Sequence, residues 1–201
     1  MIREINYDHL FQSQKQYRTL LDCMAKPGVI AVLDADITTP TAINKASVLI
    51  GFALLNSDVT FYNDYNQKEE INSYFLLNTS SAPAEVSNAD FIFISGKQEN
   101  TNAIDNAKSG LPEYPEQGAF VVIDVDTIAD TLLDSGVVIT LEGPGVKDTI
   151  EIYVAGISIA ILEAVAEKNI EYPLGVDTIF ADKQGAIFCI PRSNKFKYSK
   201  I

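Results

Sequence analysis

The sequence predicts an α/β fold, a mixed β-sheet with flanking helices. Three observations point there. Apolar residues fill 47% of the 201 positions, enough to bury a sizeable core. Short β-like runs alternate with helix-period segments along the whole chain. No internal repeat, low-complexity linker or composition break divides it, so one domain over residues 1–201 is expected.

The elements follow in order. Over 8–25, Leu10, Tyr17, Leu20, Leu21 and Met24 recur at helical spacing on one face. Asp8 is placed to cap that helix and Lys26-Pro27-Gly28 to stop it. Residues 29–33 read as a short strand. Thr39-Pro40 is a helix-start signal, with proline at the first helical position. The helix from there to about residue 55 is apolar on nearly every side through VLIGFALL, which predicts deep burial. A strand at 59–62 and a helix at 66–77 come next, then a buried strand at 90–94 and a polar helix at 97–108. Strands are expected at 118–125, 137–142 and 149–154. A last helix covers 157–168, with Ile157, Ile161 and Val165 on one stripe. The chain ends in a hairpin, VDTIFA–DKQG–AIFCI, and a lysine-rich tail.

With 27 acidic and 15 basic side chains, the formal charge is −12. Sequence-independent nucleic-acid binding needs a basic surface and is excluded. Anionic membranes are disfavoured, while basic partner surfaces are favoured. The longest apolar run, 48–55, is too short to span a bilayer. No apolar stretch follows Arg3 in MIREINYDHLF, so no signal peptide and a cytoplasmic location are expected. Cys23 and Cys189, far apart in apolar settings, read as buried thiols of a reducing compartment.

Several chemistries are absent from the sequence. His9 is the single histidine and reads as a helix-start surface residue, so no triad is expected. No cluster has zinc-ligand spacing, and neither G-x-G-x-x-G nor G-x-x-x-x-G-K-[ST] occurs. No catalytic residue, metal or cofactor is therefore assigned. The stretch LEGPGVKD sets Gly143, Pro144, Gly145 and Lys147 in a tight turn. Its glycines are too close for a phosphate loop, and Pro144 removes an amide donor. A turn between strands is expected, with an anion site as the second reading.

The final hairpin gives a sharper expectation. A four-residue loop over 182–185 pairs Ala181 with Ala186 and Asp177 with Ile190. Arg192 then lies diagonal to Asp177 on the same face, roughly 7–8 Å away and within an arginine's reach. An Asp177–Arg192 contact is predicted, either as a latch for the strand ends or as a held arginine facing a phosphate or carboxylate. Ser193 stands beside it. Arg18 is expected in a partly buried ion pair. Glu113 and Glu116 are expected in a solvated, proline-rich loop, with acid–base work as the alternative.

Five stretches, YRTLLDCMAKPG (17–28), PEQGA (115–119), LEGPGV (141–146), YPLGVD (172–177) and IPRS (190–193), together resemble the PhnH family, a component of the carbon–phosphorus lyase complex. The matches run in order over nearly the whole chain. Ser193-Asn194 stand where that family has Thr-Thr, and Ala25 where Ser is usual. The resemblance implies a pyridoxal-phosphate-dependent transferase-like fold without the cofactor site, a homodimer, and partners among the G, I and J subunits with L and K. It implies a part in making ribose 1-methylphosphonate 5-triphosphate from ATP and methylphosphonate, with the nucleosidase chemistry carried by the I component. It transfers no catalytic residue, and it implies no Schiff-base lysine; Lys147 is the lysine to test. Two other readings stand beside it. One is a free-standing anion-binding enzyme using Arg192, Asp177 and the Gly143–Gly145 turn; the other is an intact pyridoxal-phosphate enzyme.

Overall fold

The computed structural model describes residues 7–201. The reading of MIREIN as no export signal lies outside them. Helix α1 (Phe11–Ala25) starts where Asp8 Oδ1 accepts the amides of Leu10 and Phe11 at 2.9 and 3.0 Å. Its buried face is Gln16, Leu20 and Cys23, whereas Leu10, Tyr17 and Leu21 are exposed. The inward face is thus rotated roughly a quarter turn from the most apolar stripe. Gln16 is tolerated inside because its amide donates to the Asp34 carbonyl at 3.1 Å. The same rotation leaves Arg18 exposed, and it forms no ion pair among the described residues, contrary to expectation.

Strand β1 is only Ala31–Val32. Helix α2 (Lys45–Leu54) begins after Asn44 rather than at Pro40, and its residues 46–52 are all buried. Asn44 does not cap its own helix with its side chain. Its Nδ2 instead reaches the carbonyls of Val125 and Ala181 at 2.9 and 3.1 Å. Next come β2 (Thr60–Asn63), α3 (Lys68–Thr79), β3 (Ala82–Pro83) and β4 (Phe91–Ser95). The helix expected at 97–108 contracts to α4 (Asn102–Asp105). Asn100 Oδ1 accepts the Asn102 amide and Asn106 donates to the Asn102 carbonyl, local bonds that compete with a longer helix.

The proline-rich segment holding Glu113 and Glu116 is a loop only at Pro112-Glu113, the turn; Glu116 lies in a strand. The segment forms a two-stranded hairpin, β5 (Ser109–Leu111) and β6 (Tyr114–Gly118), where proline fits an edge strand. Both glutamates are exposed. The chain continues through β7 (Phe120–Asp124), β8 (Thr127–Ala129), β9 (Val137–Glu142), β10 (Ile150–Ala155) and α5 (Ile159–Lys168). It ends in β11 (Asp177–Ala181), β12 (Ala186–Ile190) and β13 (Lys195–Lys200). The lysine-rich tail is therefore a strand. Phe196 and Tyr198 are half-buried while Lys195 and Lys197 are exposed, a period-two pattern.

A seven-stranded mixed sheet, ordered β1-β12-β11-β7-β4-β2-β3, forms the centre. Strands β11, β7, β4, β2 and β3 run parallel, and β12 is antiparallel to β11 and to β1. A second, antiparallel sheet is ordered β13-β9-β10-β8. Alternating side chains split the core in two. Phe91, Phe93, Val122 and Ile179 face α1, α2 and α3, whereas Ile92, Ile94, Val121 and Phe180 face α4, α5 and the smaller sheet. The architecture is α/β with a mixed sheet and helices, as predicted. Cys23 and Cys189 are free and buried, and the Cys23 thiol donates to the Val29 carbonyl at 3.8 Å. The neighbouring Cys23 thiol and burial push the Cys189 thiol up. Among the described residues, no helix is long and apolar enough to cross a membrane, and no cluster of three acidic, His or Cys side chains is arranged for a metal.

Candidate functional site

Asp177 opens β11 beside Phe120, which opens β7, so both stand at the amino ends of the central parallel strands. Arg192 folds onto this end. Its backbone amide donates to Asp177 Oδ1 at 2.8 Å, and Nε and Nη2 donate to Oδ2 at 3.1 and 2.6 Å. Nη1 donates to the Pro115 carbonyl at 2.7 Å. The side chains are 11% and 15% exposed, so the pair is largely out of water. Gly118 makes room for it: a Cβ there would collide with Arg192 Nη1 and the Gly175 carbonyl.

The contact is the one predicted, but the register is not. Asp182 pairs with Ala186, leaving a three-residue tip closed by Gly185 at φ +100°. The strands then pair Thr178 with Ile190, one residue from the expected register, and the Phe180 and Phe188 rings stack at 4.5 Å. Regular alternation would turn Arg192 to the other face. It returns because β12 stops at Ile190 and the chain turns, with the Asn194 amide donating to the Pro191 carbonyl at 2.9 Å.

Arg192, Asp177 and Ser193 line a cavity of about 310 Å³ together with Pro115, Glu116, Tyr172 and Pro173. Three of the sequence stretches singled out above thus meet at one place. The other two meet beside it. The turn joins β9 to β10, with Gly143 and Gly145 at φ +129° and +80°. A Cβ on Gly145 would lie 2.7 Å from the Ala25 carbonyl, and one on Gly143 3.0 Å from Asn194 Nδ2. Asn194 Nδ2 donates to the Pro144 carbonyl at 3.0 Å. A Cβ on Gly28 would lie 2.8 Å from Ile150. The glycines serve close backbone approach between α1, the turn and the segment after Arg192. Lys147 is exposed and does not line the Arg192 cavity. His9 is an exposed residue against the rings of Tyr7 and Phe52, as expected of a surface position.

A second polar centre lies at the opposite, carboxyl ends of the same strands. Asp124 ends β7 and is 7% exposed. It accepts the Asn44 amide at 2.7 Å and a short bond from the Ser47 hydroxyl. Burial pushes its carboxyl up to about 6, although these donors act the other way. Two residues on, Asp126 takes the Lys97 ammonium on Oδ2 at 2.7 Å and the Lys183 ammonium on Oδ1. The sequence reading missed this centre. One signal was available: IDVD and DK both end strands it identified, and in open parallel sheets polar residues there face a crevice.

The family model described as "Bacterial phosphonate metabolism protein (PhnH)" matches residues 6–197 of the chain. The chain is also 24% identical over 191 residues to alpha-D-ribose 1-methylphosphonate 5-triphosphate synthase subunit PhnH of Rhizobium meliloti (strain 1021). That alignment covers 94% of this chain and 92% of the relative.

Proposed function

The chain belongs to the PhnH family of bacterial phosphonate metabolism proteins, and from that premise we propose that it is a subunit of the carbon–phosphorus lyase system. It takes part in making ribose 1-methylphosphonate 5-triphosphate from ATP and methylphosphonate. Its contribution is assembly and surface, as a single domain working in the cytoplasm. It pairs with a second copy and docks on the G, I and J subunits with L and K. The fold is of the pyridoxal-phosphate transferase type, with the cofactor site lost; the mixed seven-stranded sheet supports that reading.

One observation carries the proposal. The stretches that resemble the family meet at Arg192 and beside it, and the arginine makes its polar contacts inside the protein. Three guanidinium nitrogens, Nε, Nη1 and Nη2, donate inside the protein, and the side chain is 11% exposed. Such an arginine orders chain segments rather than transferring groups. Co-expression with the other subunits followed by size-exclusion chromatography tests this. The chain is expected to co-elute with them, to form no ribose 1-methylphosphonate 5-triphosphate alone, and to give no new absorbance with pyridoxal phosphate. Product formation by the purified chain alone would overturn the reading. The cavity beside Arg192 favours a second reading, a free-standing anion binder. Micromolar phosphonate binding that disappears in Arg192→Lys would establish it.

A further inference from the structure

The carboxyl-end centre encloses a cavity of about 150 Å³, lined among others by Asn44, Tyr65, Lys97, Asp124, Asp126 and Lys183. It sits where open α/β sheets hold ligands, outside the carboxyl ends of parallel strands. Here those are β4, β7 and β11, with the start of α2 closing one side. The volume suits a ligand of a few heavy atoms.

Its charges are uneven. Two ammonium groups share the single carboxylate of Asp126. An ammonium carries three donors, and the two lysines meet Asp126 as ion pairs that leave its Oδ1 without a hydrogen-bond partner, so their donors stay open to a ligand. Both lysine side chains are more than half exposed, at 57% and 56%, so the amines stand at the mouth. Asp124 lies deeper, already satisfied by Asn44 and Ser47. Two paired lysines repel an amine ligand and discourage a metal cation, whereas a compact anion completes their hydrogen bonds.

We propose that this cavity binds a compact tetrahedral oxyanion, a phosphate or a phosphonate, between the ammonium groups of Lys97 and Lys183, with Asp126 holding the two amines in place. Asp124 limits the affinity by like-charge repulsion. The site lies at the far end of the central strands from Arg192 and does not depend on the subunit reading. It therefore stands or falls separately from co-elution with partner subunits.

The test is titration of the full chain with inorganic phosphate and, separately, methylphosphonate, followed by amide chemical shifts near Lys97 and Lys183. Saturable shifts are expected with at least one of them, and the tighter of the two identifies the source. Lys97→Gln and Lys183→Gln should each weaken binding about tenfold, conservative changes at exposed side chains that leave the fold intact. Asp124→Asn should tighten it several-fold. Shifts that never saturate, or binding that survives both lysine substitutions, would overturn the proposal. So would weaker binding in a folded Asp124→Asn protein.

Discussion

The two ends of the same parallel strands are finished in opposite ways. At the amino ends, two guanidinium nitrogens of Arg192 donate to one oxygen of Asp177 and its backbone amide to the other, and the neighbouring Pro115 carbonyl takes a further donor. At the carboxyl ends, two lysines divide one carboxylate while a second carboxyl is sealed beneath them. The amino end closes the chain on itself; the carboxyl end keeps donors in hand. The difference teaches that one end of a sheet can fasten a chain while uncommitted charge accumulates at the other.

The largest effect expected from disturbing this contrast is at the fastened end. Arg192→Ala strands a largely buried Asp177 carboxylate and should cost about 3–5 kcal/mol in urea unfolding. Asp177→Asn in the same chain should cost much less on that background than alone, because the two act as one unit. A loss below about 1 kcal/mol would show that the pair behaves as a surface bridge and would erase the contrast.

Asp124 offers the next test. Its carboxyl is raised by burial from 3.8 to about 6, so the folded state binds the proton more tightly than the unfolded chain. The stabilisation is full at low pH and is lost as pH rises through that window. The groups facing it are Lys183, Lys97 and Asp126, with Tyr65, Ser47 and Asn44 as neutral neighbours. Asp124→Asn has no such titration. The stability difference, variant minus parent, should therefore grow between pH 4 and pH 7 by something on the order of 3 kcal/mol. A difference that is flat with pH would remove Asp124 as the titrating group. The smallest effect belongs to the lysines. Lys97→Ala and Lys183→Ala should each change stability by less than about 1 kcal/mol, since their ion pairs are half exposed. A larger loss would make the carboxyl end a fastening as well.

Much of the fold was legible because its elements advertise themselves locally. The all-round apolar α2, the short runs of β4, β7, β9 and β10, and the terminal hairpin need no distant partner to be recognised. The errors have tertiary causes. The inward face of α1 is chosen by what Gln16 and Cys23 meet, not by the apolar count. Strand β13 looks like a tail because three of its six residues are lysine, yet β9 supplies the ladder it needs. At the sites, Asp177–Arg192 was readable because one hairpin carries both, even though Asp182, binding the amides of Gln184 and Ala186 at 2.8 Å, shifts the register by one. Asp124, Lys97 and Lys183 come from three separate elements, and no periodicity connects them.

Strand β13 has one more consequence. It is the outermost member of the smaller sheet, and its exposed amines guard a border that would otherwise invite pairing from another molecule. Trimming residues 195–201 would hand that border to β9, whose outward positions Val138, Thr140 and Glu142 carry one charge in place of three lysines. Loss of β13 should therefore favour strand-to-strand pairing between molecules through β9, read as association that rises with concentration.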